Sequence, residues 1–166
     1  MASTKQLFHQ MGFPGSRLTF VQNREQKYAT YNIVNAAYNF CNAGEIQVIV
    51  DGDDQLIGRY AFKLLNTFYQ RYSHIWIAYT NFHASVYTPG TSRPIRSDDY
   101  LLGPEGKRLS RHYIGPIRSW KVNLIRRVPL EHHQFRNGTW FDTLYDDAIQ
   151  HPLFELARHK RIKYIA

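Results

Sequence analysis

Glu45-Ile46-Gln47-Val48-Ile49-Val50-Asp51-Gly52-Asp53-Asp54 is the stretch on which the fold reading turns. An apolar, β-branched run of this length is a buried strand. It ends in three carboxylates within four residues, Asp51, Asp53 and Asp54. Acids packed so closely repel one another unless a cation or hydrogen-bond donors neutralise them. Hard divalent ions such as Mg²⁺ or Mn²⁺ take oxygen ligands and share their shell with water or phosphate oxygens. A core strand that delivers Asp-Gly-Asp-Asp into a loop is therefore a candidate platform for metal-bridged phosphate chemistry. The same four residues also make good turn chemistry, and Asp54 is a candidate cap for a following helix.

Outward from this strand the periodicity alternates. Upstream, Arg17-Leu18-Thr19-Phe20-Val21 reads as a short strand after the punctuation of Gly12, Pro14 and Gly15. From about Tyr31, the positions Ile33, Ala36, Ala37, Phe40 and Cys41 follow helical spacing, and Asn42-Ala43-Gly44 stops the helix. Strand, helix, strand in this order predicts a parallel pair with a right-handed crossover. Downstream, 56–72 reads as a helix with Ala61, Leu64, Leu65, Phe68 and Tyr72 on one face, and 75–79 reads as a strand. Residues 83–115 hold Pro89, Gly90, Pro94, Gly103, Pro104, Gly106 and Gly115 without a sustained period, which predicts a long functional loop. A short basic helix is expected over 117–126 and a turn at Asn137-Gly138. Asp146 to His159 reads as a helix that Pro152 must kink or restart, and 161–165 as a last strand.

The 166 residues suit one domain over 1–166. Hydrophobic residues make up 43% and charged residues 20%, a globular balance, and no run reaches the roughly 18 apolar residues of a membrane span. No signal-peptide pattern opens the chain, so the default expectation is cytoplasmic. Cys41 is the single cysteine, which excludes an internal disulfide, and the helical pattern places it in the core. Of the net charge of +8, residues 93–127 supply +6: Arg93, Arg96, Lys107, Arg108, Arg111, Arg118, Lys121, Arg126 and Arg127 against Asp98, Asp99 and Glu105. Such a segment attracts anions. The eight histidines include no His-x-x-x-His pair, so a dedicated zinc site is not expected.

Three blocks carry a resemblance to a known family. They are Lys27-Tyr28-Ala29-Thr30-Tyr31-Asn32 with Ala36-Ala37, Val48-Ile49-Val50-Asp51-Gly52-Asp53-Asp54-Gln55-Leu56, and Asp146-Asp147-Ala148-Ile149-Gln150-His151-Pro152-Leu153-Phe154-Glu155. Their order and spacing resemble nucleotide-sugar glycosyltransferases of the GT-A fold, of the inverting family-2 type. The resemblance implies an α/β three-layer sandwich with a mainly parallel sheet. It implies that Asp51 and Asp53 hold Mn²⁺ or Mg²⁺ and the donor's ribose–diphosphate, with Asp54 in support. Lys27 and Asn32 would sit near the nucleotide, and Arg118 and Lys121 would join them in a basic-aromatic segment. Asp146 takes the position of the catalytic base, with Asp147 beside it.

The donor implied is a nucleotide sugar, UDP-sugar first; the acceptor is a glycan, a protein or a small molecule. A carboxylate can take the proton of an acceptor hydroxyl, while cations neutralise charge growing on the leaving diphosphate. Trp76, Tyr79, Trp120, Trp140 and Tyr145 are candidate platforms for a sugar ring. The family's opening strands, and a His after the catalytic helix, have no counterpart in the chain. An incomplete version of the fold is expected, completed by a missing segment or a partner chain. Two other readings stand beside this one. A degenerate transferase fold would serve as an interaction domain. A basic module would bind nucleic acid on a face remote from the acids, although no recognised nucleic-acid motif is present.

Overall fold

A computed structural model of the chain describes residues 19–54, 56, 58–81, 94 and 118–165. The described elements run α1 (Ala29–Asn39), β1 (Ile46–Ile49), α2 (Ala61–Arg71), β2 (Ile77–Thr80), β3 (Arg118–Lys121), α3 (Val122–Ile125), α4 (Tyr145–Ala157) and β4 (Ile162–Ile165). Short 3₁₀ turns cover Leu130–His133 and His159–Arg161. The protein is a small α/β structure with a four-stranded mixed sheet in the order β1-β3-β2-β4.

Among the described strands only β2 and β4 are parallel; β3 runs antiparallel to both β1 and β2. This corrects the expectation of a mainly parallel sheet. Its source is Arg118-Ser119-Trp120-Lys121, expected to open a short basic helix, which forms the central strand instead. Four residues are too few for periodicity to separate the two states, and burial decides. Ser119 and Trp120 are 0% and 2% exposed. Helix follows only from Val122, as α3. The expected strand over residues 17–21 is not formed at 19–21, and 17–18 lie outside the described residues, as does the expected loop 83–115 apart from Pro94.

Alternation along the strands assigns two faces. Ile77, Tyr79, Trp120 and Ile162 join Val34 and Ala37 of α1, Leu124 and Ile125 of α3, and Ile149, Leu153, Phe154 and Ala157 of α4 in the main core. Each such aliphatic or aromatic side chain contributes about 1.5–3 kcal/mol on burial. Ala78 belongs with Ile75 to a smaller cluster, where Tyr69 and Phe68 of α2 pack. Tyr69 also donates its hydroxyl to the Ser119 carbonyl at 2.9 Å. Helices therefore cover both faces of the sheet.

Two helices are rotated from the faces that the sequence suggests. In α1 the buried positions are Thr30, Val34 and Ala37, while Phe40 is exposed and Cys41 only half-buried beyond the helix end. In α2 they are Leu65 and Tyr69, and Leu64 points to solvent at 67% exposure. The α2 helix also starts later than expected, at Ala61 rather than Leu56. The Asn137-Gly138 turn forms as expected, with Gly138 at φ +81°, a conformation that glycine adopts without a Cβ clash.

A buried polar relay fixes β3 against β1 and α1. The Trp120 indole Nε1–H donates to Gln47 Oε1 at 2.9 Å, and Gln47 Nε2 donates to the Ile33 carbonyl at 3.0 Å. Gln47 is 6% exposed, so its removal strands the Trp120 donor away from water, while the Ile33 carbonyl keeps its place in the α1 ladder. Gln47→Leu is expected to cost roughly 1–3 kcal/mol, the cost of one buried group left unpaired. The shift of the urea unfolding midpoint checks this.

Candidate functional site

The register of β1 and β3 builds the site. Ile49 pairs with Arg118, so Asp51, two residues on, lies beyond the head of β3 on the same side as Ile49. Arg118 and Trp120 share a side of β3 by the same alternation, which is the side covered by α4. The first turn of α4 carries Tyr145, Asp146 and Asp147. Three segments distant in sequence thus meet at one end of the sheet.

Arg118 is their common partner. Its Nη1 and Nη2 engage both carboxylate oxygens of Asp146, with Nη2–Oδ2 at 3.2 Å, in a bidentate pair. Nη2 also lies 3.9 Å from Asp51 Oδ2. The guanidinium is nearly enclosed, with the Arg118 side chain 11% exposed against 27% for Asp51 and 28% for Asp146. Its Nε is buried without a hydrogen-bond partner among the described residues. Tyr145 stands beside this group. Burial first, then the neighbouring carboxylates of Asp51 and Asp146, push its phenol up to about 12. Tyr145 therefore stays a neutral donor at physiological pH. The residue before it, Leu144, holds a left-handed φ of 52° at the helix start. That conformation is uncommon for a residue with a Cβ, and such strain clusters at functional sites.

The other candidates divide. Asp147 faces His151 at 3.5 Å, one turn along α4, rather than Arg118. Asp53 and Asp54 are exposed. Asp54 N–H donates to the Asp51 carbonyl at 3.1 Å, so residues 51–54 form the tight turn that their composition favours, and Asp54 caps no helix. Lys27 pairs with Glu25 at 3.2 Å and lies over the Tyr31 ring, and Asn32 bonds to Asn23 and to the Lys27 carbonyl. Both organise the entry to α1 and make no hydrogen bond or ion pair to the Arg118 group. Lys121 is at the far end of β3, donating to the Ser73 carbonyl at 2.5 Å, so it is separated from the other candidates by the length of the strand. Tyr79 and Trp120 are core residues and not ring platforms. Trp76 also lies at the far end, and Trp140 and Tyr145 remain half-buried.

Among the described residues no three His, Cys, Asp or Glu side chains gather as a metal-binding group. Asp51 is already faced by the Arg118 cation. Magnesium-type ions, however, bind through one or two carboxylates together with substrate phosphates. The exposed carboxylate of Asp53 suits that donor set.

Pro152 poses a separate problem, because it lies inside α4 without breaking it. The helix does not restart there, a restart being one of the two outcomes that the sequence allows. Proline has no N–H, so the Ala148 carbonyl four residues earlier lacks its helical donor. His133 supplies one: its Nδ1 lies 3.1 Å from the Ala148 oxygen. A carbonyl only accepts, so Nδ1 carries a proton, and burial favours the neutral ring over the cation. The ring is fully buried, and Nε2 has no partner among the described residues. Histidine spacing gives no hint of this role; the requirement comes from Pro152, and only the fold brings His133 to it.

Comparison with protein families, with curated proteins and with solved structures returned no match.

Two outcomes follow for His133. Burial holds its imidazole below the usual value of 6.5, outweighing the Ala148 bond, which raises it. The unfolded chain then binds a proton that the folded chain refuses. The stability contribution is full above about 6.5 and is lost as pH falls towards the depressed folded value. Urea midpoints measured from pH 7.5 downward should decline, and less so in a His133→Phe variant. In addition, His133→Ala should cost about 1 kcal/mol less in a Pro152→Ala background, where the helix regains its own N–H.

Proposed function

We propose that the chain is a nucleotide-sugar-dependent glycosyltransferase domain, with Asp51, Arg118, Tyr145 and Asp146 at its reaction centre. The observation that carries this reading is the convergence of Asp51 and Asp146, from the end of β1 and the start of α4, on the enclosed Arg118. A cation flanked by two carboxylates suits a reaction in which one anion leaves and one proton is taken up.

In this reading, Asp146 accepts the proton of the acceptor hydroxyl as that oxygen attacks the anomeric carbon of the donor. Arg118 orients the Asp146 carboxylate through two parallel bonds, the geometry that favours arginine over lysine. It is also the cation nearest to where a diphosphate would lie beside Asp51. Drawing the guanidinium towards the phosphates would free Asp146 and raise its basicity. Tyr145, neutral at working pH, offers a phenol donor beside Asp51. Asp53 would hold Mn²⁺ or Mg²⁺ together with the diphosphate oxygens, and that ion would supply charge neutralisation for the leaving group. Lys27 and Asn32 shape the start of α1, and a nucleotide role for them requires the segment 23–32 to rearrange around the donor. Asp147, paired with His151, is the weaker candidate for the base.

A second reading has its own observation. Asp51 and Asp146 are both engaged by Arg118 while Asp53 and Asp54 stand exposed, an arrangement that also suits a degenerate transferase fold serving as an interaction domain.

Calorimetric titration with UDP, with and without Mn²⁺, separates the two. Metal-dependent binding that is lost in Asp53→Ala supports the transferase, and absence of binding in every condition supports the interaction domain. With a sugar donor in hand, Asp146→Asn should retain UDP affinity within a few-fold while transfer falls by about 10²-fold or more. Equal loss of both would place Asp146 in donor binding instead.

A further inference from the structure

The end of the sheet opposite Asp51 has a different chemistry. β1, β2 and β4 begin there and β3 ends there, so Lys121, Trp76 and Arg161 are neighbours across the strands. Trp76 N–H donates to the Arg161 carbonyl at 2.8 Å, and Lys121 N–H donates to the Trp76 carbonyl at 3.0 Å. The Trp76 ring carries the Arg161 guanidinium at 3.9 Å and that of Arg127 at 5.4 Å. The C-termini of α1, α2 and α4 lead into these strand starts and bring further pairs: Arg126 over Tyr38 at 5.9 Å and Arg71 over Tyr72 at 5.6 Å.

Part of this charge has a structural purpose. Arg126 donates to the Ala37 and Cys41 carbonyls at 3.0 and 2.6 Å and so caps the C-terminus of α1. The remainder does not reduce to capping. Among the described residues, Lys121, Arg127, Arg158, Lys160 and Arg161 form no ion pair with a carboxylate. The nearby acids are Glu45, which accepts from Asn42, and Glu155 in the last turn of α4. Lys121 is partly desolvated, which lowers its affinity for its proton. The same helix ends carry exposed apolar side chains, Phe40 just past α1 at 51% and Leu156 in the last turn of α4 at 41%.

We propose that this end of the sheet docks on an anionic phospholipid surface. Arginine and lysine meet headgroup phosphates, Trp and Tyr suit the interfacial level, and Phe40 and Leu156 reach the acyl boundary. A nucleic acid fits less well. Phe40 and Leu156 have no task on a phosphate backbone, and the Trp76 ring is already covered by Arg161 instead of being open to a base. No described helix is long and apolar enough to cross a membrane, so the attachment is peripheral. It is independent of the transferase reading.

The test is co-sedimentation of the full chain with vesicles of phosphatidylcholine alone, and of phosphatidylcholine mixed with phosphatidylserine, at low and high salt. Anionic vesicles should bind the chain, neutral ones should not, and salt should weaken the binding. Arg127→Glu with Arg161→Glu should weaken partitioning by at least roughly tenfold. Phe40→Ser with Leu156→Ser, both at exposed positions, should weaken it without disturbing the circular dichroism spectrum. The proposal is overturned by equal binding to both vesicle types, by no binding to either, by binding that both double variants retain, or by single-stranded RNA binding without vesicle binding.

Discussion

The insertion of Arg118–Lys121 between β1 and β2 is the constraint on which the rest of the structure rests. Without this strand, β1 has no partner among the described strands, since its one pairing among them is to β3. Four residues accomplish this because each does separate work. Trp120 fills the main core and hydrogen-bonds to Gln47, and Ser119 donates to the Ala78 carbonyl at 2.8 Å and receives Tyr69 from the other face. Lys121 closes the far end of the strand, and Arg118 gathers the carboxylates at the near end. Burying so much polar chemistry is tolerable only because nearly every group finds a partner.

That strand also organises the molecule as a dipole of chemistry. One end holds the head of β3, the end of β1 and the first turn of α4; the other holds the strand starts and three helix C-termini. Carboxylates and an enclosed arginine mark the first end, and arginines paired with aromatic rings mark the second. The length of the strands keeps these two chemistries apart.

The α4 helix is where local rules and tertiary contacts conflict. A left-handed Leu144 starts it and a proline interrupts its hydrogen-bond ladder. Both features cost energy locally. His133 offsets one of them from outside the helix, and the apolar face of Ile149, Leu153, Phe154 and Ala157 anchors the rest in the core. The outcome is a helix whose first turn, with Tyr145 and Asp146, is held in a defined place.

Much of this was legible in the sequence. The apolar run into Asp51, the helices on either side, the turn at Gly138 and the α/β class follow from periodicity and turn chemistry, which are local. Asp51 could be singled out by residue type at a strand end, and Arg118 and Asp146 through the family resemblance. Their meeting on one guanidinium could not, because no local rule gives the register of β1 against β3. The mixed direction of the sheet was hidden for the same reason: four residues with one tryptophan fit a helix as well as a strand, and only burial between two neighbours decides. The pairing of His133 with Ala148 is likewise a long-range match, set by the packing of a 3₁₀ turn on α4. Local pattern determined which elements form; strand register and the docking of helix ends decided which side chains meet, because those depend on contacts between segments distant in the chain.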